Sequence, residues 1–353
     1  MVIIMQDIKR VNIILLIIIL LEELVTSTGV MRLVHGIPLQ MLASQLILCG
    51  PMLLFPFVFK KNFFKCVGLN KIRFSDIMLS VLFYFCINKV LSFINGISML
   101  ISPNKIGSLI TNMSDSTPYL LAVLVVGIIP AFCEECMNRG IIYNTYKQAD
   151  PLRAMLMSAL VFGLMHGNLN QFSYAFFMGF IFILLNEATG SLASSMTVHM
   201  LANVVSTTLV YLLPKLTSTI KELVGAVTDG KSSVSGLEQT TESLSQLFKN
   251  VDKKSILSSL PSITIEAVLG GLGAFFIFRW IAKRNGRWDY IKGIFSKKHR
   301  NMMSEEKKEN VPGPVIECEA MHIITTPLII VLAILTFNII VDGLVDFGVI
   351  SRK

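Results

Sequence analysis

Residues 118–132, PYLLAVLVVGIIPAF, carry no charge, and several other stretches of this chain are as apolar. About 20 such residues in a row suffice to cross a bilayer as a helix, and in hydrocarbon a backbone must satisfy its own polar groups, so it spans as a helix or as part of a closed barrel. The chain is therefore expected to be all-α, a polytopic transmembrane bundle of about eight to nine helices. The spans are read as 11–31, 36–59, 77–101, 116–138, 152–167, 171–187, 191–213, 262–282 and 322–349. Composition agrees: the chain is 53% hydrophobic and only 15% charged, against about 25% charged in soluble domains.

Orientation follows from the bias of Lys and Arg toward the cytoplasmic side. The connection KKNFFKCVGLNKIRFSD holds Lys60, Lys61, Lys65, Lys71 and Arg73. The segment after Ala282 holds Lys283, Arg284, Arg287, Lys292, Lys297, Lys298, Arg300, Lys307 and Lys308. A cytoplasmic N-terminus puts both inside, together with 139–151. The net charge of +8 is then that bias plus attraction to anionic lipid, and no nucleic-acid partner is implied. The first span follows Lys9 and Arg10 and is interrupted by Glu22 and Glu23, so it could be read as a signal peptide. No A-x-A cleavage site follows, and a retained helix is the expectation.

Four regions are delimited: N-terminal membrane helices over 1–115, a core over 116–213, a polar extracytoplasmic insertion over 214–261, and C-terminal helices with a basic cytoplasmic loop over 262–353. Within the insertion, Leu216, Ile220, Leu223 and Val227, then Leu237, Leu244 and Val251, suggest two amphipathic helices around TDGKSSVSG. The cysteines, at 49, 66, 86, 133, 136 and 318, outline no disulfide framework. Cys133 and Cys136 lack the two further soft ligands that a zinc site would want.

With no soluble catalytic domain in view, chemistry falls to polar residues inside the spans, where an ionisable group is costly and marks a site. Three places qualify. In EECMNR, Glu135 and Arg139 are four apart and share a helix face. Glu134 points elsewhere and lacks that partner, as a general base in a low-dielectric pocket would. In FGLMH, His166 lies 16 residues after Asp150, as Glu134 lies 16 before it, so two antiparallel helices joined at QADPLR bring both to one height. The tail IIYNTYKQ is then expected to project into the cytoplasm. In HMLAN, His199 and Asn203 share a face and can offer donors to a developing oxyanion. By helix rise, His199 and His166 differ in depth by about 10 Å unless the helices tilt or the turn GNLNQ is re-entrant, and Asn168 and Asn170 suit a wet re-entrant turn.

E-E-x-x-x-R, F-x-x-x-H and H-x-x-x-N, in this order across consecutive spans, resemble the CAAX protease and bacteriocin-processing family, which includes type II CAAX prenyl endopeptidases. The resemblance covers 116 to about 210. It implies an intramembrane peptidase opening toward the cytoplasmic side, in which Glu134 and His166 activate the attacking water. His199 and Asn203 would stabilise the oxyanion, and Glu135 and Arg139 would hold the geometry. The family is described both as metalloproteases and as metal-free. Glu134, His166 and His199 could supply three ligands to a divalent metal such as zinc with a fourth position open. The Ile-, Asn-, Lys- and Met-rich composition reads as bacterial. Bacteriocin or pheromone maturation, or bacteriocin immunity, then suits better than a prenylated substrate, with a peptide or membrane-associated protein as partner in a bacterial cell membrane. Two other classes compete: a non-catalytic scaffold or self-immunity protein that retains the motifs, and a transporter using Glu134 and the histidines as a proton relay.

Overall fold

A computed structural model describes residues 2–114, 116–227, 253–297 and 322–350. Every regular element in them is helical. In order, they are α1 (Val2–Thr28), α2 (Ile37–Val58), the short α3 (Phe63–Val67), α4 (Phe74–Met99), α5 (Lys105–Ser114), α6 (Tyr119–Tyr146), α7 (Pro151–Leu164), α8 (Leu169–Thr189), α9 (Ala193–Val227), α10 (Lys253–Arg284), α11 (Trp288–Phe295) and α12 (Thr326–Asp346). Eight are long and apolar enough to cross a membrane: α1, α2, α4, α6, α8, α9, α10 and α12. The protein is an integral, multi-pass membrane protein. The ninth expected span is α7, whose 14 residues rise only about 21 Å, short of the roughly 30 Å hydrocarbon layer.

The packing is that of a lipid-embedded bundle, with apolar residues both inside and out. On α1, Val11, Leu15, Ile18 and Ile19 are buried at helical spacing while Ile13, Ile17, Leu20 and Leu24 face outward. Where helices touch most closely, small residues let them. A Cβ on Gly179 of α8 would lie 2.8 Å from the Ala159 backbone of α7, and one on Gly127 of α6 would lie 2.6 Å from Val204 of α9.

Polar contacts between connections define two ends of the bundle. At one end, Asn70 donates to the Gly190 carbonyl (2.8 Å) and Ser191 to the Asn70 carbonyl (2.7 Å). There Glu187 gathers Tyr143 (3.0 Å), Lys147 (3.0 Å) and Arg287 (2.7 Å), and Lys61 pairs with Asp7. At the other end, Lys105 pairs with Asp342 (2.5 Å) and Asp346 (3.0 Å), and Tyr211 donates to the Thr117 carbonyl (3.2 Å).

Three expectations change. IIYNTYKQ is not a free projection: α6 continues to Tyr146, and Ile141, Ile142, Tyr143 and Tyr146 are buried, with the Tyr146 hydroxyl on Asn12 of α1. The span expected to end at 213 runs unbroken to Val227, so the first amphipathic segment continues α9, while the second lies outside the described residues. The loop after Ala282 contains α11, and residues 298–321, with Cys318, lie outside the described residues.

Candidate active site

Glu134 and Glu135 sit on α6 between two π-helical turns, at Val123–Ile128 and Cys136–Tyr143, and Arg139 lies within the second. Wide turns of this kind are rare and cluster at functional sites. The four-residue spacing does bring Glu135 and Arg139 together, 2.9 Å apart (Oε1 to an Nη), with both side chains fully enclosed. The guanidinium is close to the carboxylate without being aligned for a hydrogen bond. Its faces are covered instead, its Cζ lying 3.9 Å from the Phe162 ring centroid and 5.3 Å from that of Phe182. Glu135 also accepts from His199 Nδ1 (2.9 Å) and Ser195 Oγ (2.5 Å). One carboxylate thus ties α6 to α9 and holds the His199 ring, leaving its Nε2 3.8 Å from Glu134 Oε2.

His166 lies two residues beyond the end of α7. The helix stops short, Gly167 takes the left-handed conformation (φ 64°), and Asn168 caps α8 by accepting from the Gln171 amide (2.9 Å). Asn168 also donates to the His166 carbonyl (3.1 Å). The turn between α7 and α8 is thus built by a short helix, a glycine and an asparagine cap. His166 Nδ1 lies 2.8 Å from the Phe162 carbonyl. A carbonyl only accepts, so Nδ1 carries the proton and Nε2 keeps its lone pair. Ser158 of α7 donates to the Asn138 carbonyl (2.9 Å), which pins this hairpin to α6 beside Glu134.

The cavity is about 510 Å³ in volume, and Glu134, His166, His199 and Asn203 all line it. Of the six residues singled out in the sequence, these four share the cavity, and Glu135 and Arg139 stand behind them. The sequence reading missed Gln45 of α2, whose Nε2 donates to Glu134 Oε1 (2.8 Å), and Ser195. Gln45 carried no local signal, lying 89 residues away. Ser195 could have been suspected, since it is one helical turn before His199 and shares its face.

Both imidazoles are oriented through Nδ1 in the way metal-ligating histidines are. Yet among the described residues no three His, Cys, Asp or Glu side chains are grouped so as to hold a metal ion. As placed, Glu134, His166 and His199 do not fit one.

Fold and site together define a class: a multi-pass membrane protein with an acid–imidazole centre in a polar hollow among its helices. Residues 116–205 match the family model described as Type II CAAX prenyl endopeptidase Rce1-like. The match covers about a quarter of the chain and contains all three motifs, so recognition of the CAAX protease and bacteriocin-processing family holds over that stretch. What this family implies in general is an intramembrane protease. No curated protein and no solved structure gives a match.

Proposed function

We propose that this protein is an intramembrane endopeptidase that cleaves a peptide or membrane-associated protein by direct attack of water. Glu134, with His166, takes the proton of the attacking water. Gln45 holds one oxygen of the carboxylate and leaves the other facing the cavity. The protonated Nδ1 of His166 leaves Nε2 as the acceptor a base needs, and general acid–base assistance of this kind contributes typically 10²–10⁴-fold. As the carbonyl carbon becomes tetrahedral, its oxygen gains charge. His199, its ring held through Nδ1 by Glu135, and the Asn203 amide donate to that oxygen, each such donor being worth roughly 2.7–4 kcal/mol in the transition state. Collapse of the intermediate returns the proton to the leaving amine. Glu135 and Arg139 touch none of the reacting atoms and act by positioning His199.

The observation that carries this reading is the convergence of Glu134 from α6, His199 and Asn203 from α9, and His166 from the turn after α7 on one cavity. For a bacterial chain, maturation or immunity involving secreted peptides is the substrate role this reading favours. The test is cleavage of a peptide library by the purified protein in liposomes. Glu134→Gln and His166→Ala should each lower turnover by at least 100-fold while leaving thermal unfolding within a few degrees of the parent. Full turnover in both variants would overturn the assignment.

A further inference from the structure

At the end of the bundle where Asn70, Gly190 and Ser191 bind one another, a second hollow of about 230 Å³ opens, and Arg139 reaches it from within. Apart from Arg139, its lining comes from connections or from the last turn of α3, α6 or α8. The hollow therefore lies where the spans end, at the level of the lipid headgroups. Its charged lining residues are three cations, Arg139, Lys147 and Arg287, and one carboxylate, Glu187. Arg139 is also paired with Glu135 behind it, so three cations against two carboxylates leave one positive charge over. A Cβ on Gly68 would lie only 2.9 Å from Asn144 Nδ2, and one on Gly190 would touch Arg287 Nη1 at 3.6 Å. At both glycines a polar nitrogen thus borders space that a side chain would fill.

Arg139 points to the kind of ligand. It is 1% exposed, and its Nε and both Nη meet no aligned acceptor among the described residues. Buried donors left unmade are costly, most of all on a charged group. Lys147 and Arg287 donate to Glu187, yet their side chains stay part exposed, at 32% and 35%. They form the rim of the hollow and Arg139 its floor. A guanidinium fork matches a tetrahedral oxyanion, bonding two of its oxygens at once, and basic pockets at this level of a membrane protein suit the phosphates of anionic lipids.

We propose that this hollow is a phosphate site, filled by the phosphodiester of an anionic lipid or by a free phosphate ion, with Arg139 at its floor and Arg287 and Lys147 at its rim. The single surplus charge matches the single charge of a phosphodiester. The site shares Arg139 with the contact that holds Glu135 and His199, but it does not depend on the peptidase reading, and binding is measured without turnover. The thermal unfolding of the full-length protein is followed in two settings. In detergent, inorganic phosphate replaces chloride at constant ionic strength. In nanodiscs, phosphatidylcholine alone is compared with a mixture containing phosphatidylglycerol. The midpoint should rise by roughly 3 °C or more, with phosphate in detergent if the ligand is the free ion, and only with phosphatidylglycerol if it is a headgroup. Arg287→Gln and Lys147→Gln, two variants in case one fails to fold, should each weaken half-saturation about tenfold or abolish the rise. Glu187→Gln, which removes the rival carboxylate, should strengthen binding. No rise in either setting overturns the proposal, as does a rise left unchanged in both rim variants, which is what general salting-out would give. Weakened binding in Glu187→Gln, as in the cation variants, overturns it too.

Discussion

Arg139 is the largest fully enclosed side chain among the described residues, and it is a cation. Its enclosure depends on Glu135 for charge and on two ring faces for shape, and lysine supplies neither the planar fork nor the stacking surface. Arg139→Lys should therefore lower thermal stability and cleavage together. Glu135→Ala, which strands Arg139 and frees His199, should cost about 3–5 kcal/mol, readable as a fall in the detergent-solubilised unfolding midpoint. Gln45→Ala removes a hydrogen bond to a charged group, worth about 1.5–3 kcal/mol. Turnover should drop roughly 10- to 100-fold with little change in stability, whereas a stability loss without a rate loss would make Gln45 structural. At this scale the sequence was informative within a helix and nearly silent between helices. Glu135–Arg139 and His199–Asn203 follow from a four-residue spacing. Nothing local announces that Gln45 meets Glu134, or that Phe182 of α8 covers the Arg139 guanidinium, because both contacts are made only when the bundle closes.

The decisive element is α7, because its shortness puts the histidine at cavity depth. It is held against α8 by a contact that only a hydrogen at position 179 allows. Gly179→Val should push the helices apart at Ala159 and destabilise by about 1–3 kcal/mol. It should also lower turnover through misplacement of His166, a loss that a second-site Ala159→Gly would partly restore. Hydrophobic runs made the membrane helices legible, since a bilayer imposes their length. Their ends were less so. Apolarity marks where a helix can meet lipid, not where its hydrogen bonding stops, so α6 outlasts its apolar run to Tyr146 and α9 passes its own to Val227. The depth mismatch between His166 and His199 pointed to helix tilt or to a re-entrant turn; in the structure both rings line one cavity, His166 two residues past the end of the 14-residue α7.

Across the whole molecule, the chain's late segment returns to brace its early ones. Asn338 of α12 donates to Glu23 of α1, and Lys105 of α5 is held between Asp342 and Asp346. Because α5 also walls the cavity, Lys105→Ala should loosen that wall. A lowered unfolding midpoint and faster amide hydrogen exchange across 105–114 are expected, with exchange across 288–295, at the opposite end, unchanged. Such closure between distant segments leaves no periodic trace in a sequence, and the C-terminal helix could be recognised there only as a span. The stack of Phe162, Arg139 and Phe182 has a consequence of another kind. A membrane protein with a cavity of about 510 Å³ among its helices, and a smaller hollow of about 230 Å³ lined by Arg139, Lys147, Glu187 and Arg287 among others, is one gasket away from being a pore. Phe162 lines the cavity, Arg139 stacks on it and lines the smaller hollow, and Phe182 lies over the guanidinium as well, so these three side chains form that gasket. Cutting back one ring, as in Phe182→Ala, should make proteoliposomes dissipate an imposed proton gradient faster than the parent does. The energetic integrity of the cell would thus constrain these three side chains as firmly as proteolysis does.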